Sequence, residues 1–165
     1  MNHILVTGAA GYIGSVLVRR LLDAGYRVTG LDVLRFGGES LLGMVGNDRF
    51  TLEVGDVRDD ETLARCLKGI DAVIHLAAVV GDPACAREPE LSEQINWKAT
   101  KQLIDLCASS GTVKRFCFAS TCSNYGKMEG DSYVDESSPL RPVSLYARQK
   151  VRVEEYLLGG CNTNG

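Results

Sequence analysis

His3-Ile4-Leu5-Val6-Thr7-Gly8-Ala9-Ala10-Gly11-Tyr12-Ile13-Gly14-Ser15 decides how the rest of the chain reads. The short apolar, partly β-branched run at its start fits a buried strand. Three glycines at three-residue spacing follow. Val16-Leu17-Val18-Arg19-Arg20-Leu21-Leu22 then places apolar residues on one helical face and turns the arginines away. Strand, glycine turn and helix together form a cradle for a pyrophosphate. Gly8 can adopt backbone angles other residues avoid, and Gly11 has no side chain to hold a phosphate off. Gly14 lets the helix pack closely on its strand. The free N–H groups of the helix, and the positive end of its dipole, then face the anion.

The spacing is Gly-x-x-Gly-x-x-Gly, not the Gly-x-Gly-x-x-Gly of ordinary dinucleotide-binding turns. Taken alone, three such glycines also fit plain tight packing. The next apolar run, Arg27-Val28-Thr29-Gly30-Leu31, ends at Asp32, where a carboxylate can accept hydroxyls of an adenosine ribose. That acid favours a dinucleotide over packing alone.

Going outward, helix one spans about 14–24 and stops at Gly25. A glycine-rich loop over 34–40 leads to a short helix near 40–44. Phe50-Thr51-Leu52-Glu53-Val54 alternates as a strand does. Asp60 caps a helix near 61–68, closed by Gly69. Strand four, 71–76, carries the apolar run Ala72-Val73-Ile74 and reads as fully buried. His75 within it fits a partly buried strand-end histidine better than a catalyst. Residues 79–86 read as a loop beyond a strand's carboxyl end, where ligands bind in open α/β sheets. In that loop Asp82 and Cys85 fit substrate contact and turn chemistry equally. A long helix runs from about 89 or 92 to 109, with Leu91, Ile95, Ala99, Leu103, Leu106 and Cys107 on one face. Strand five covers 113–119, and a turn-rich loop spans 127–140. Ser144 caps a last helix that runs to about 158. Five strands alternating with helices predict an α/β fold, a doubly wound parallel sheet in the order 3-2-1-4-5.

Several ordered features now coincide: Thr7-Gly8-Ala9-Ala10-Gly11-Tyr12-Ile13-Gly14, Asp32, Gly55-Asp56-Val57, His75-Leu76-Ala77-Ala78, Ser120-Thr121 with Tyr125-Gly126, and Tyr146-x-x-x-Lys150. In these the chain resembles the extended short-chain dehydrogenase/reductase family, and within it the nucleotide-sugar epimerases and dehydratases. The resemblance implies a Rossmann-like domain that binds NAD. It assigns the pyrophosphate turn to Gly8, Gly11, Tyr12, Ile13 and Gly14, and the ribose to Asp32. Asp56 and Val57 would contact the adenine. Leu76, Ala77 and Ala78 would let the backbone pass beside the cofactor, with Ser120, Tyr146 and Lys150 at its nicotinamide end. Asn96, also grouped with the cofactor site, matches a position that supports active-site backbone.

Tyr146 and Lys150 are four apart and share a helical face. A phenol with an unperturbed pKa of ~10 is a poor base at neutral pH. A nearby ammonium favours the phenolate and lowers that pKa. The pair alone is common on solvated helices; behind the glycine turn, Asp32 and Ser120-Thr121 it reads as catalytic. By resemblance, Tyr146 takes a proton from a sugar hydroxyl held by Thr121 while the carbon gives up a hydride. Lys150 also binds the nicotinamide ribose. Dehydratases of this family commonly carry Asp-Glu directly after the threonine. This chain has Cys122-Ser123, a thiol and a hydroxyl that serve elimination of water poorly. Epimerisation, or simple oxidation or reduction, is the expected chemistry, with dehydration and a non-enzymatic NAD-binding or redox-sensing module as alternatives. Asp32 also predicts preference for NAD over NADP, since it repels a 2′-phosphate; Arg35 nearby works the other way.

The 165 residues fit one domain, 45% hydrophobic and 24% charged. A net charge of −3 speaks against nucleic acid as a partner. No segment has transmembrane length and no signal peptide is legible, so no membrane association and a cytoplasmic location are expected. The six cysteines form no Cys-x-x-Cys pair, and no metal site is expected. The family's sixth strand and smaller substrate domain do not follow the last helix. The expectation is a C-terminally truncated NAD-binding domain: a fragment, a shortened gene or a chain completed by a partner. The helices near 92–109 and 144–158 resemble those that build a homodimer interface in the family.

Overall fold

A computed structural model describes residues 2–127 and 133–160. Cys161 and the middle of the expected 127–140 loop lie outside the described residues. The chain divides into two compact units. One takes the chain as far as Ala78 and returns for Gln102–Ala119; the other takes Val79–Lys101 and the chain from Ser120 onward.

The first unit holds the whole sheet. Its strands are β1 (His3–Thr7), β2 (Arg27–Asp32), β3 (Phe50–Val54), β4 (Ala72–His75) and β5 (Arg115–Phe118). They pair in parallel in the order β3-β2-β1-β4-β5. The order reverses at β1, and ligands bind beyond the carboxyl ends of strands at such a point. The register sets Thr7 opposite Leu31 on one side and His75 on the other. Gly8, Asp32 and Leu76 therefore leave the sheet side by side. Helix α1 (Tyr12–Asp23) buries Gly14, Val18 and Leu22, a four-residue repeat, against a core of Ile4, Val6, Val28, Leu41 and Met44. Gly25, at φ +91°, ends it.

Two expectations shift by a residue or two. Helix α2 (Asp60–Cys66) is capped by Asp59, whose carboxylate accepts the Thr62 N–H at 3.1 Å. Asp60 instead stands in the helix's first turn. A 3₁₀ turn, Glu39–Met44, forms where the short helix was expected.

In the second unit, residues 82–87 are not loop but helix α3 (Asp82–Arg87). Gly81, at φ +87°, turns the chain into it, and Pro83 sits in its first turn, where a missing N–H costs nothing. The expected long helix runs without interruption as α4 (Pro89–Ser92), a π-helical segment (Glu93–Ala99) and α5 (Thr100–Ser109), whose later part belongs to the first unit. The Thr100 hydroxyl donates to the Ile95 carbonyl five residues back, which is the π spacing. Helix α6 (Leu145–Gly160) begins as expected, with Ser144 Oγ accepting the Ala147 N–H at 3.1 Å. Val79, Cys85 and Tyr146 form the unit's core with Ala84, Leu91, Ile95 and Leu145. Among the described residues no helix is long and apolar enough to cross a membrane.

Candidate active site

In the first unit the glycine turn has the geometry its spacing suggests. Gly8 stands at φ +72°, and a Cβ there would meet Ala77 N at 2.8 Å. A Cβ on Gly14 would overlap the Gly8 carbonyl oxygen and lie 2.9 Å from Ala9 Cα. Gly8 N–H donates to Leu31 O at 2.8 Å, and Gly11 N–H to Gly8 O at 3.1 Å. Gly11 opens α1, and neither a side-chain cap nor an acid occupies its first turn. Tyr12 and Ile13 are exposed there. That end of α1 is chemically ready for an anion: unspent donors, positive dipole, no competing carboxylate.

Asp32 sits at the end of β2 with each carboxylate oxygen engaged once. Oδ2 accepts Ala10 N–H at 2.9 Å and Oδ1 accepts Leu34 N–H at 2.8 Å. A carboxylate oxygen accepts two hydrogen bonds, so each keeps capacity for a ribose hydroxyl. Leu34 is the only non-glycine residue at positive φ among those described, +56°. Backbone strain of this kind collects at ligand-holding turns. Asp56 is pinned within its own loop, bonded by Arg58 through its backbone N–H and its guanidinium, with a 2.6 Å ion pair. That guanidinium holds its carboxyl below the usual range. Val57 beside it is buried, while Leu76, Ala77 and Ala78 are half-buried past the end of β4.

The second unit carries the residues expected to do chemistry. Tyr146 is 9% and Lys150 4% exposed, one turn apart on α6. Lys150 Nζ lies 5.6 Å from the centre of the Tyr146 ring. Burial pushes the lysine down to about 8, against the attraction of Cys85 and Glu154. Burial also pushes the Tyr146 phenol up, helped by Cys85, Asp82 and Cys122. The expected lowering of the phenol is thus not present in the protein alone: desolvation of the ring leads the upward shift, and Cys85, Asp82 and Cys122 add to it. Thr121 caps a 3₁₀ turn, Cys122–Tyr125, its Oγ1 accepting Ser123 N–H at 3.2 Å. The turn is fixed by Asn124, whose Nδ2 donates to Ser120 Oγ and to Glu154 Oε1, both at 3.0 Å. Cys122 is exposed.

Asn96 is buried, and its amide is spent within the protein. Oδ1 accepts Val79 N–H at 2.8 Å; Nδ2 donates to Val79 O at 3.0 Å and Gln149 Oε1 at 3.0 Å. It clamps the backbone of Val79 from both sides. Cys85 has no exposure, lies within α3 and donates its thiol to Val79 O at 3.2 Å, so it is a core residue of a helix and neither an exposed substrate contact nor a turn residue. Ser92 and Gln149 complete this network through a 2.6 Å bond. Neither was legible in the sequence, where a buried glutamine on a helix looks like a solvated one. Thr7 and His75 were also read too lightly. Thr7 Oγ1 bonds His75 Nδ1 at 2.7 Å and accepts the N–H groups of Leu76 and Ala77 at 3.2 Å each.

Comparison with known proteins agrees with this geometry. The model of the NAD dependent epimerase/dehydratase family matches residues 4–165. A dTDP-glucose 4,6-dehydratase from Streptomyces griseus is 38% identical over 155 residues, covering 90% of this chain and 46% of the relative. A UDP-glucose 4-epimerase from Streptomyces lividans is 33% identical, with 98% and 48% covered. Among solved structures, the UDP-glucose 4-epimerase of Thermus thermophilus in complex with NAD superposes with a TM-score of 0.87 at 31% identity, over 98% of this chain and 51% of that one. The chain thus spans about half the length of the relatives it matches. A glycine turn, an acid after β2 and a buried tyrosine–lysine turn, in a chain matched almost end to end, place it in the NAD dependent epimerase/dehydratase family.

Proposed function

We propose that the chain is the NAD-binding, proton-transferring part of a nucleotide-sugar epimerase-type oxidoreductase, and that a substrate domain completes it. The observation that carries this reading is the buried Tyr146–Lys150 turn. Burying a lysine with its charge is costly, and a surface helix has no reason to do it. The glycine cradle fits a pyrophosphate, since a Cβ at Gly8 or Gly14 would collide with backbone. Asp32 keeps open acceptor positions for the ribose and, with them, a preference for NAD over NADP. Asp56, Val57, Leu76, Ala77, Ala78 and Ser120 complete the proposed cofactor contacts, with Asn96 holding the backbone at Val79.

Bound NAD supplies a hydride acceptor, a hydride donor and a positive charge. The chain's own residues manage the proton. Thr121 holds a sugar hydroxyl, Tyr146 takes its proton, and the Lys150 ammonium stabilises the phenolate that forms. At pH 7 a lysine titrating near 8 is still mostly charged, so this stabilisation is available. Cys122-Ser123 favours epimerisation or simple redox over dehydration, because neither side chain is the acid or base that elimination of water needs. A homodimer built on the helices near 92–109 and 144–158 and a cytoplasmic location accompany this reading.

The test is Tyr146→Phe in the full protein, assayed on a panel of UDP- and dTDP-hexoses with NAD affinity measured alongside. Turnover should fall ~10²–10⁴-fold, the range for losing a positioned acid–base group, with NAD binding retained. Undiminished turnover refutes the role of Tyr146. Wild-type protein that binds NAD but turns over no sugar supports a sensor instead.

A further inference from the structure

The bonds around Thr7 fix where its proton goes. A hydroxyl has two lone pairs and one hydrogen. Thr7 Oγ1 faces three partners: Leu76 N–H at 3.2 Å, Ala77 N–H at 3.2 Å and His75 Nδ1 at 2.7 Å. The two amides can only donate, so both lone pairs are taken. The hydroxyl hydrogen must then go to Nδ1, and the short 2.7 Å separation suits an O–H···N bond. His75 is therefore neutral with its proton on Nε2. The ring is 1% exposed and lies between Phe116 and Phe118, at 6.2 and 6.3 Å centroid distances.

The orientation matters because of what the two amides do. Leu76 N–H also reaches the Thr7 carbonyl at 3.1 Å, so it keeps a backbone partner if the hydroxyl turns. Ala77 N–H has its bond in the Thr7 hydroxyl. This same Ala77 nitrogen is what a Cβ on Gly8 would strike, at 2.8 Å. The Ala77 backbone and the first glycine of the turn are thus packed without a spare atom between them. Whatever sets Ala77 sets Gly8.

We infer that His75 is a positioning residue for the dinucleotide turn: by accepting the Thr7 hydroxyl proton it points that oxygen's lone pairs at Ala77 and holds the β4 end against Gly8. His75 touches neither cofactor nor substrate in this scheme; it acts through Thr7. A ring protonated on Nδ1 would offer Thr7 a third donor, and the hydroxyl would have to release an amide. The inference rests on the dinucleotide reading of the turn, and it also makes a claim about the free protein.

Two measurements on the full protein test it. A long-range ¹H–¹⁵N spectrum of wild-type protein at neutral pH should show His75 as the neutral Nε2–H tautomer; an Nδ1–H tautomer or an imidazolium overturns the inference. Variants His75→Leu and His75→Asn are then compared, since asparagine can place an acceptor near the Nδ1 position and leucine cannot. His75→Leu should lose amide-exchange protection at Ala77 and weaken NAD binding roughly tenfold, about one lost hydrogen bond's worth of positioning. His75→Asn should restore both to within about threefold of wild type. Unchanged Ala77 protection in His75→Leu, or equal loss in the asparagine variant, refutes the role. If His75→Leu does not fold, the wild-type tautomer and His75→Asn decide. If wild-type protein binds no NAD, the cofactor reading fails, while the Ala77 amide still judges His75.

Discussion

Replacing Lys150 by methionine should make the folded protein more stable at neutral pH while removing its chemistry. Lys150 is almost wholly buried, and its pKa falls from 10.5 to about 8 on folding. Below pH 8 the folded state carries the ammonium at full desolvation cost. Between 8 and 10.5 the folded lysine has released its proton while the unfolded one still holds it. Unfolding then takes up a proton at this group, so its contribution to stability rises with pH across that window. The buried Cys66 and Cys107 thiols, pushed up to about 11 and about 12, work the other way above about pH 9 in both proteins. Above 10.5 both states are neutral and the penalty is gone. The separation is worth roughly 3 kcal/mol, at ~1.4 kcal/mol per pH unit. Methionine fills similar space without the charge, but gives up the attraction of Glu154 and the contact with the Tyr146 ring. The net gain at pH 7 should be about 1–3 kcal/mol. Denaturant unfolding of both proteins from pH 6.5 to 10 measures it. The advantage of methionine should be constant below 8 and shrink steadily above. Tyr146, raised by burial, contributes an opposing slope only above about pH 10, and in both proteins. A methionine variant less stable at every pH, or an advantage that ignores pH, refutes the buried-charge account.

Other outcomes follow from the same contacts. Gly14→Ala drives a methyl into the Gly8 carbonyl and Ala9, so α1 must back off the turn. The loss should be about 1–3 kcal/mol or more, with weaker NAD binding, read by thermal melts and titration. Asn96→Leu strands the N–H and C=O of Val79, a loss of roughly 2–4 kcal/mol by denaturant unfolding that spares the glycine turn. Parallel titrations should show NAD binding at least ~10-fold tighter than NADP, and equal binding removes the specificity role of Asp32. Among the described residues β5 pairs with β4 alone, so this chain should self-associate in sedimentation; a monomer at all accessible concentrations refutes this.

The central strands were legible because burial on both faces leaves apolar runs with glycine and acid at their ends, and β3 because it alternates. Ile4-Leu5-Val6 and Val28 could be little else than core strand. The strand order followed from the doubly wound reading of alternating strands and helices, since right-handed crossovers by themselves also permit the order 2-1-3-4-5. The segment at 82–87 was misread because Gly81, Asp82 and Pro83 are turn residues by composition. Gly81 does make a turn, but Pro83 then sits in the helix's first turn, where it is compatible with helix. The π segment had no signature either. Within it Asn96 reaches the Val79 backbone, and hydrophobic periodicity does not record a polar contact.

What the sequence hid most thoroughly is one physical problem solved twice. Backbone just past β4 leaves the sheet, so the ladder no longer satisfies its N–H and C=O groups, yet it stays out of water. In the first unit Thr7, aligned by His75, supplies the acceptor for Ala77. In the second, Asn96 supplies both acceptor and donor to Val79, with Ser92 and Gln149 using its remaining capacity. Each hub is a short polar side chain because only that can reach a backbone group without opening a cavity. Each is buried, which in a low-dielectric interior makes its bonds strong and their loss expensive. Reading composition assigns such residues to the surface or to catalysis. Here they do neither: each holds the backbone just past β4 within its own unit.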